Sequence, residues 1–256
     1  MDNGVVVKKI SSGWSKQSLL AGSHLSSNVF IVSDKLYKLS KSNESIEINI
    51  FNEENWSNSQ ACYLYQNSLF ILKDGVIKKV DVTNGQVSDF YTNKEELTNI
   101  KALFVSHYDH RFFLIKENGL YILKDSKVEK LLDDLRLNDF KSLVVNQSNV
   151  YFSTNNGDLI GLYEGNGHKK LYTITNADKE FNAFAQAFIG GFYCLGKEKI
   201  SICYISDMCV MDRNVTFSED NGNLGQVVNF GAVNCSTPKT LYVLYDTGNI
   251  IEYTFI

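Results

Sequence analysis

Proline is almost missing from this chain: Pro238 is the one example in 256 residues. Chain reversals therefore fall to Gly, Asn and Asp, which tolerate positive φ and suit tight hairpins. Cysteine is sparse and odd in number, with Cys62, Cys194, Cys203, Cys209 and Cys235 irregularly spaced. That argues against a disulfide frame and for reduced thiols. Cys203 and Cys209 flank a turn at Asp207 and are expected to face each other across a hairpin, with no second Cys or His pair to complete a zinc set. An excess of positive charge is also lacking, since 25 Lys and Arg stand against 29 Asp and Glu, a net charge of −4. Neither nucleic acid nor an anionic membrane is the expected partner. No apolar run approaches the roughly 20 residues of a membrane helix, and Met1-Asp2-Asn3-Gly4 has no apolar leader. An intracellular location, cytoplasmic or nuclear, is expected. No G-x-S-x-G elbow, H-E-x-x-H or phosphate-binding loop occurs.

What is present is an interval. Asn43, Asn84, Asp125, Asn166 and Asp207 stand 41 positions apart, each a short turn-forming residue. The repeat around Asn84 is the clearest. Ala61–Tyr65, Ser68–Leu72, Val76–Val82 and Gln86–Tyr91 read as four strands, joined at Asp74-Gly75 and Asn84-Gly85. Other repeats keep the order, with second strands at Val29–Val32, Phe112–Ile115, Val150–Phe152, Phe192–Leu195 and Leu241–Leu244. Several of these are continuously apolar, as a strand covered on both faces should be. Repeats of about 40 residues made of short strands are the mark of β-propeller blades.

The ends of the chain extend the pattern. Val5–Ile10 looks like a fourth strand without its first three, and Ile250–Ile256 like a third strand without its fourth. The expectation is one closed propeller domain over residues 1–256, all-β, with six four-stranded blades. Strand 4–11 would then complete the blade of about residues 217–256. Seven blades are the alternative, with a non-propeller β fold behind them. The sixth repeat is about nine residues longer than the others, with the surplus in Phe217–Lys239. Asn93–Leu97 and Lys130–Leu137 read as helical turns in the connections between blades.

In repeat length and strand order the chain resembles the WD-repeat and related propeller superfamilies. Where those carry Trp-Asp at the end of the third strand, this chain has Leu39-Ser40, Asp81-Val82 and Tyr163-Glu164. Gly13-Trp14-Ser15 and Ala21-Gly22-Ser23-His24-Leu25-Ser26, followed by Val29–Leu39, are similar to the repeat of the regulator of chromosome condensation family. That second resemblance implies a regulatory module acting on a small GTPase or on chromatin, with no exchange residue carried over.

Candidate functional residues gather in the connections between blades. Glu53, Glu54, Glu95, Glu96, Asp133, Asp134, Asp178, Glu180, Glu219 and Asp220 would form an acidic rim suited to a basic segment of a protein partner. Trp14 and Trp56 lie 42 positions apart in equivalent sites and are candidate anchors. Leu97 and Leu137 continue their phase, so the same positions also read as apolar plugs beneath each connection. Ser23-His24 and Ser106-His107 share a phase at first-strand ends, and His110 and His168 read as turn residues. No catalytic residue, cofactor or metal is expected. The function expected is a non-catalytic scaffold or adaptor subunit of an intracellular complex. The alternatives are the GTPase or chromatin module and, last, an enzyme using carboxylates at the channel mouth.

Overall fold

Short runs rich in β-branched and aromatic residues, cut every five to eight residues by Asn, Asp or Gly, leave the chain little choice but an antiparallel meander. The structure, a computed structural model, describes residues 5–23, 28–41, 45–106, 110–117, 119–146, 149–155, 159–165, 168–174, 181–188, 191–196, 199–206, 209–216, 227–233 and 239–255; of these, the side chains of 5, 144–146, 149, 159, 163–216, 229–239 and 255 are outside the description. Among the described residues no helix is long and apolar enough to cross a membrane.

The chain opens with β1 (Val5–Ser11) and then runs through successive meanders. The first comprises β2 (Leu19–Gly22), β3 (Val29–Val32), β4 (Leu36–Lys41) and β5 (Ile46–Asn52). The second is β6 (Ala61–Tyr65), β7 (Ser68–Lys73), β8 (Val76–Asp81) and β9 (Val87–Thr92). The third is β10 (Ile100–Val105), β11 (Phe112–Lys116), β12 (Gly119–Lys124) and β13 (Lys127–Asp133). A 3-10 helix, Leu135–Asp139, leads to β14 (Phe140–Asn146), β15 (Asn149–Thr154), β16 (Leu159–Gly165) and β17 (His168–Ile174). There follow β18 (Phe181–Phe188), β19 (Gly191–Gly196), β20 (Lys199–Ser206) and β21 (Cys209–Thr216). Last come β22 (Val227–Val233), β23 (Lys239–Tyr245) and β24 (Ile250–Phe255), with β1 paired on β24 from Val5↔Phe255 to Ser11↔Ile250. The chain divides into two compact units, Met1–Leu97 with Ser218–Ile256, and Thr98–Phe217.

The expected architecture needs correction. Six four-stranded blades in one closed ring, or seven, is not what the described residues give. A blade needs a second strand covered on both faces, and five sheets show one: β3, β7, β11, β15 and β23 each carry a continuous buried run. The meander β18–β21 is described by backbone pairing alone. Among the described residues hydrogen-bonded strand neighbours lie only within a sheet, and no ladder of hydrogen bonds there closes the blades on one another. The physical reason is that blades meet face to face through side chains. In the first unit one such layer joins Phe30, Val32, Leu36, Trp56, Leu64, Leu69 and Ile71, and another joins Leu20, Ile31, Leu39, Tyr242, Leu244 and Ile250. In the second unit Phe104 stacks on Phe113 at 5.0 Å and meets Phe152 edge-on at 6.4 Å.

The interval of 41 falls between third and fourth strands. Asn84 lies between β8 and β9 and Asp125 between β12 and β13, the latter at φ +49° beside Ser126 at +60°. Asn43, Asn166 and Asp207 lie outside the described residues. Of the surplus Phe217–Lys239, only β22 and Lys239 are described. Asn93–Leu97 closes a single helical turn through Leu97 N–H and the Asn93 carbonyl at 3.0 Å. The first half of Lys130–Leu137 is the end of β13, and its 3-10 helix starts only at Leu135. A second period appears at strand entries. In β10, β14, β18 and β22 the register slips around the second residue, a bulge each time.

Candidate interaction surface

Three of the described connections between sheets are anchored by one apolar side chain each. Trp56 is 1% exposed, and its neighbours in phase, Leu97 and Leu137, are buried as deeply. The Trp56 indole donates to Asn52 Oδ1 at 3.0 Å, and its backbone N–H donates to the Asp34 carbonyl at 2.9 Å. Trp14 makes the equivalent backbone bond, to the Gly248 carbonyl at 3.1 Å. Asp34 and Gly248 both lie in turns between second and third strands, so the connection rests on the turn of the sheet before it. Close approach is required there: Gly248 has φ +75°, and a Cβ on it would sit 2.5 Å from the Trp14 carbonyl oxygen. Two residues beyond Trp56 and Leu97, Asn58 and Asn99 both take positive φ, which releases the chain into the next first strand.

Trp14 differs from the other plugs because it is half-buried. Its indole donates to Ser11 Oγ at 2.7 Å and meets the Tyr37 ring edge-on at 5.1 Å. The Tyr37 hydroxyl donates to Asp34 Oδ1 at 3.0 Å, and burial with that carboxylate beside it raises the phenol above its usual value. Lys35 pairs with Glu53 at 2.5 Å, and this hydrogen bond raises the Lys35 ammonium. The result is an aromatic pair flanked by a carboxylate and an ion pair, all on the turn-and-connection side of the first sheet. Asp34, Lys35 and Tyr37 were not among the residues singled out from the sequence. A signal for them exists in the sequence, since Asp34 closely follows the apolar run Val29–Val32, at the second-to-third turn that meets the connection.

The acidic residues are largely engaged close to home. Glu53 is 72% exposed yet held by Lys35. Glu96 accepts a hydrogen bond from the Tyr91 hydroxyl, and burial together with this bond pushes Tyr91 up to about 12. Asp133 pairs with Lys130 at 2.5 Å, which raises the lysine. Asp134 caps the 3-10 helix, accepting from the Arg136 backbone N–H at 2.9 Å and from its guanidinium at 2.5 and 2.8 Å. The guanidinium holds the Asp134 carboxyl below its usual range against the opposing effect of burial. Glu54 and Glu95 stand exposed. Asp178, Glu180, Glu219 and Asp220 lie outside the described residues.

The remaining candidates resolve individually. β20 and β21 pair Ser206 with Cys209 and Cys203 with Asp212, and this register leaves the two cysteines without each other as cross-strand partners. Cys62 is partly buried, and desolvation pushes its thiol up to about 12, away from nucleophilic use. Ser23 and Ser106 are buried, while His24 and His107 lie outside the described residues. His110 takes φ +58° in a turn, whereas His168 starts β17 rather than sitting in a turn. Among the described residues no group of three His, Cys, Asp or Glu is placed to hold a metal ion.

No family model matches the chain, and no curated protein matches it. The WD-repeat and chromosome-condensation resemblances thus have no support at the level of sequence families. Solved structures do match. The N-terminal domain of Nup159 aligns with a TM-score of 0.55 at 8% identity, over 100% of this chain and 97% of that one. Nup159 in an S. cerevisiae complex, with Dbp5 bound to it and Gle1, aligns at TM-score 0.53 and 9% identity over 100% and 96%. Regucalcin from Agrobacterium tumefaciens, described as a calcium-binding protein, gives 0.66 at 12% over 98% and 95%. A putative gluconolactonase gives 0.67 at 9% over 98% and 92%. Identities this low show the fold alone, and that fold is the β-propeller.

Proposed function

We propose that this chain is a non-catalytic interaction propeller, a scaffold or adaptor subunit of an intracellular protein complex. The observation that carries this reading is how the connection carboxylates are used. Glu53, Glu96, Asp133 and Asp134 are each committed to a lysine, tyrosine or arginine nearby. General acid–base work needs a carboxylate free to exchange a proton with a substrate, and these four support the surface instead. The docking patch proposed is Trp14 and Tyr37 with Asp34, Glu53 and Glu54 around them. A half-buried aromatic pair ringed by charge is the composition of an interface hot spot. Net acidity favours a partner segment carrying Lys or Arg. The Nup159 structure with Dbp5 and Gle1 supports the reading by analogy of fold, which is associational.

The test is affinity purification of the tagged chain with quantitative mass spectrometry, wild type against Asp34→Arg/Glu54→Arg and against Trp14→Ala. Partners recovered with wild type should fall at least about tenfold with each variant, at unchanged melting temperature for the charge variant. Recovery of the same partners by both variants would move the interface elsewhere, and a wild-type chain that retains no partner would sink the scaffold reading. The regucalcin and gluconolactonase matches supply the competing reading. Calcium titration by calorimetry and a lactone-hydrolysis assay decide it, and saturable calcium binding or turnover would overturn the proposal.

A further inference from the structure

Each sheet has two edge strands, the first of its meander and, at the opposite edge, β1, β5, β9, β13, β17 or β21. Edges of this second kind are ordinarily guarded by lysine, proline or an inward charge. The sequence guards most of them: β1 has Lys8 and Lys9, β13 has Lys127 and Lys130, β17 has Lys169 and Lys170, and β21 has Arg213. On β9, Asp89 is paired across the sheet with Lys78 at 3.2 Å. β5 is the exception among the strands of known exposure at this second edge. It closes its sheet beyond β4, has no cation and no proline, and reads Ile46-Glu47-Ile48-Asn49-Ile50. Glu47 and Asn49 are exposed, and Ile50 is 47% exposed, one of few large apolar side chains so placed.

This stretch is a palindrome in chemistry. We propose that the β5 edge is an interface with a second copy of this chain, the two strands pairing antiparallel about Ile48. In that register Ile46 faces Ile50, Ile48 faces its own counterpart, and Glu47 faces Asn49. The isoleucines fall on one side of the joined sheet and the polar pair on the other. Asn49 Nδ2 already lies 3.4 Å from Glu47 Oε2 within the strand, so donor and acceptor share one exposed face and can exchange partners between copies. A slip of two residues one way sets Glu47 against Glu47, and the other way sets Asn49 against Asn49 and leaves the carboxylates without the amide. Ile46 and Ile48 keep their packing on the layer formed with Tyr242 and Leu244, so pairing asks for no rearrangement of the blade. Five residues of edge bury far less than a standard interface of roughly 1,600 Å², so the association is weak, about 10 μM or weaker.

Sedimentation velocity over a concentration series tests this. Wild type should pass from monomer to dimer as concentration rises. Ile48→Lys sets ammonium groups against each other and should weaken the dimer at least about tenfold, and Asn49→Glu should act in the same direction. Asn49→Lys sets a lysine against Glu47 twice and should tighten it about fivefold. Residue 49 is exposed, so the two substitutions there read the interface without disturbing the fold. A wild-type chain that stays monomeric at every concentration overturns the interface. Dimerisation indifferent to Asn49→Lys and Asn49→Glu overturns this register and with it the proposal.

Discussion

Lys41 and Glu252 stand 211 residues apart and meet at 2.8 Å. The carboxylate is 6% exposed, its Oε1 also accepts from Thr254 at 3.0 Å, and its Oε2 has no partner among the described residues. Tyr242 packs beside it, its phenol raised by burial first and by the carboxylate second. Removing the lysine leaves a buried charge with only the Thr254 and Tyr242 hydroxyls beside it. Lys41→Met should cost about 2 kcal/mol, less than a fully buried pair because Lys41 is itself partly exposed. Glu252→Gln in the Lys41→Met background should recover most of the loss, and denaturant unfolding of the four chains measures it. At this scale the sequence was legible where one residue decides a turn. Asn84 and Asp125 sit where their type demands. It was not legible where a side chain chooses a partner from another strand: Tyr37 for Trp14, or Lys41 for Glu252.

The short connection around Leu135–Asp139 shows how an element is fixed from its ends. Asp134 caps it, Leu137 plugs it, and Lys101 clamps its exit by donating to the Leu137 and Asn138 carbonyls at 2.8 and 3.1 Å. Lys101 reaches them because it is the bulged residue at the entry of β10, and bulges re-aim side chains. The Asp134 carboxyl is held below its usual 3.8 by Arg136. A depressed carboxyl contributes stability that is fully present above the unfolded value and lost as pH falls through the folded one. Wild type should therefore exceed Asp134→Asn in unfolding free energy above about pH 5, and the two should converge as pH falls through the lowered folded value. A gap that persists into acid would assign the effect to the neutral cap instead. The strands were readable from apolar runs bounded by turn residues, as with β6 and β7. The bulges were not, because a one-residue slip leaves no trace in composition.

At the scale of the molecule, the chain's own two ends supply one sheet. β1 is the outer strand of the sheet completed by β22–β24, with Val6 exposed on its open side. Removing residues 1–11 would bare the edge of β24, where Ile251 and Tyr253 are buried, and would take away Ser11, the acceptor for the Trp14 indole. The truncated chain should melt at least about 5 °C lower and aggregate from the open edge. Calorimetry with light scattering measures both, and an unchanged melting temperature would show that the sheet does not need its fourth strand. Repeat architecture was legible from the interval of 41, and blade count was not, since it depends on which meanders bury a second strand on both faces.

The pairing of β1 with β24 also orders events during synthesis. Among the described strands Val5–Ser11 is made first, and its partner, Ile250–Phe255, is made last. The nascent chain therefore carries an unpaired, valine-rich strand while the strands between the two are made, the condition under which strands find wrong neighbours. Lys8 and Lys9 sit in the middle of that strand. Their charge does its main service before the fold exists, keeping the earliest segment from associating until the latest one arrives.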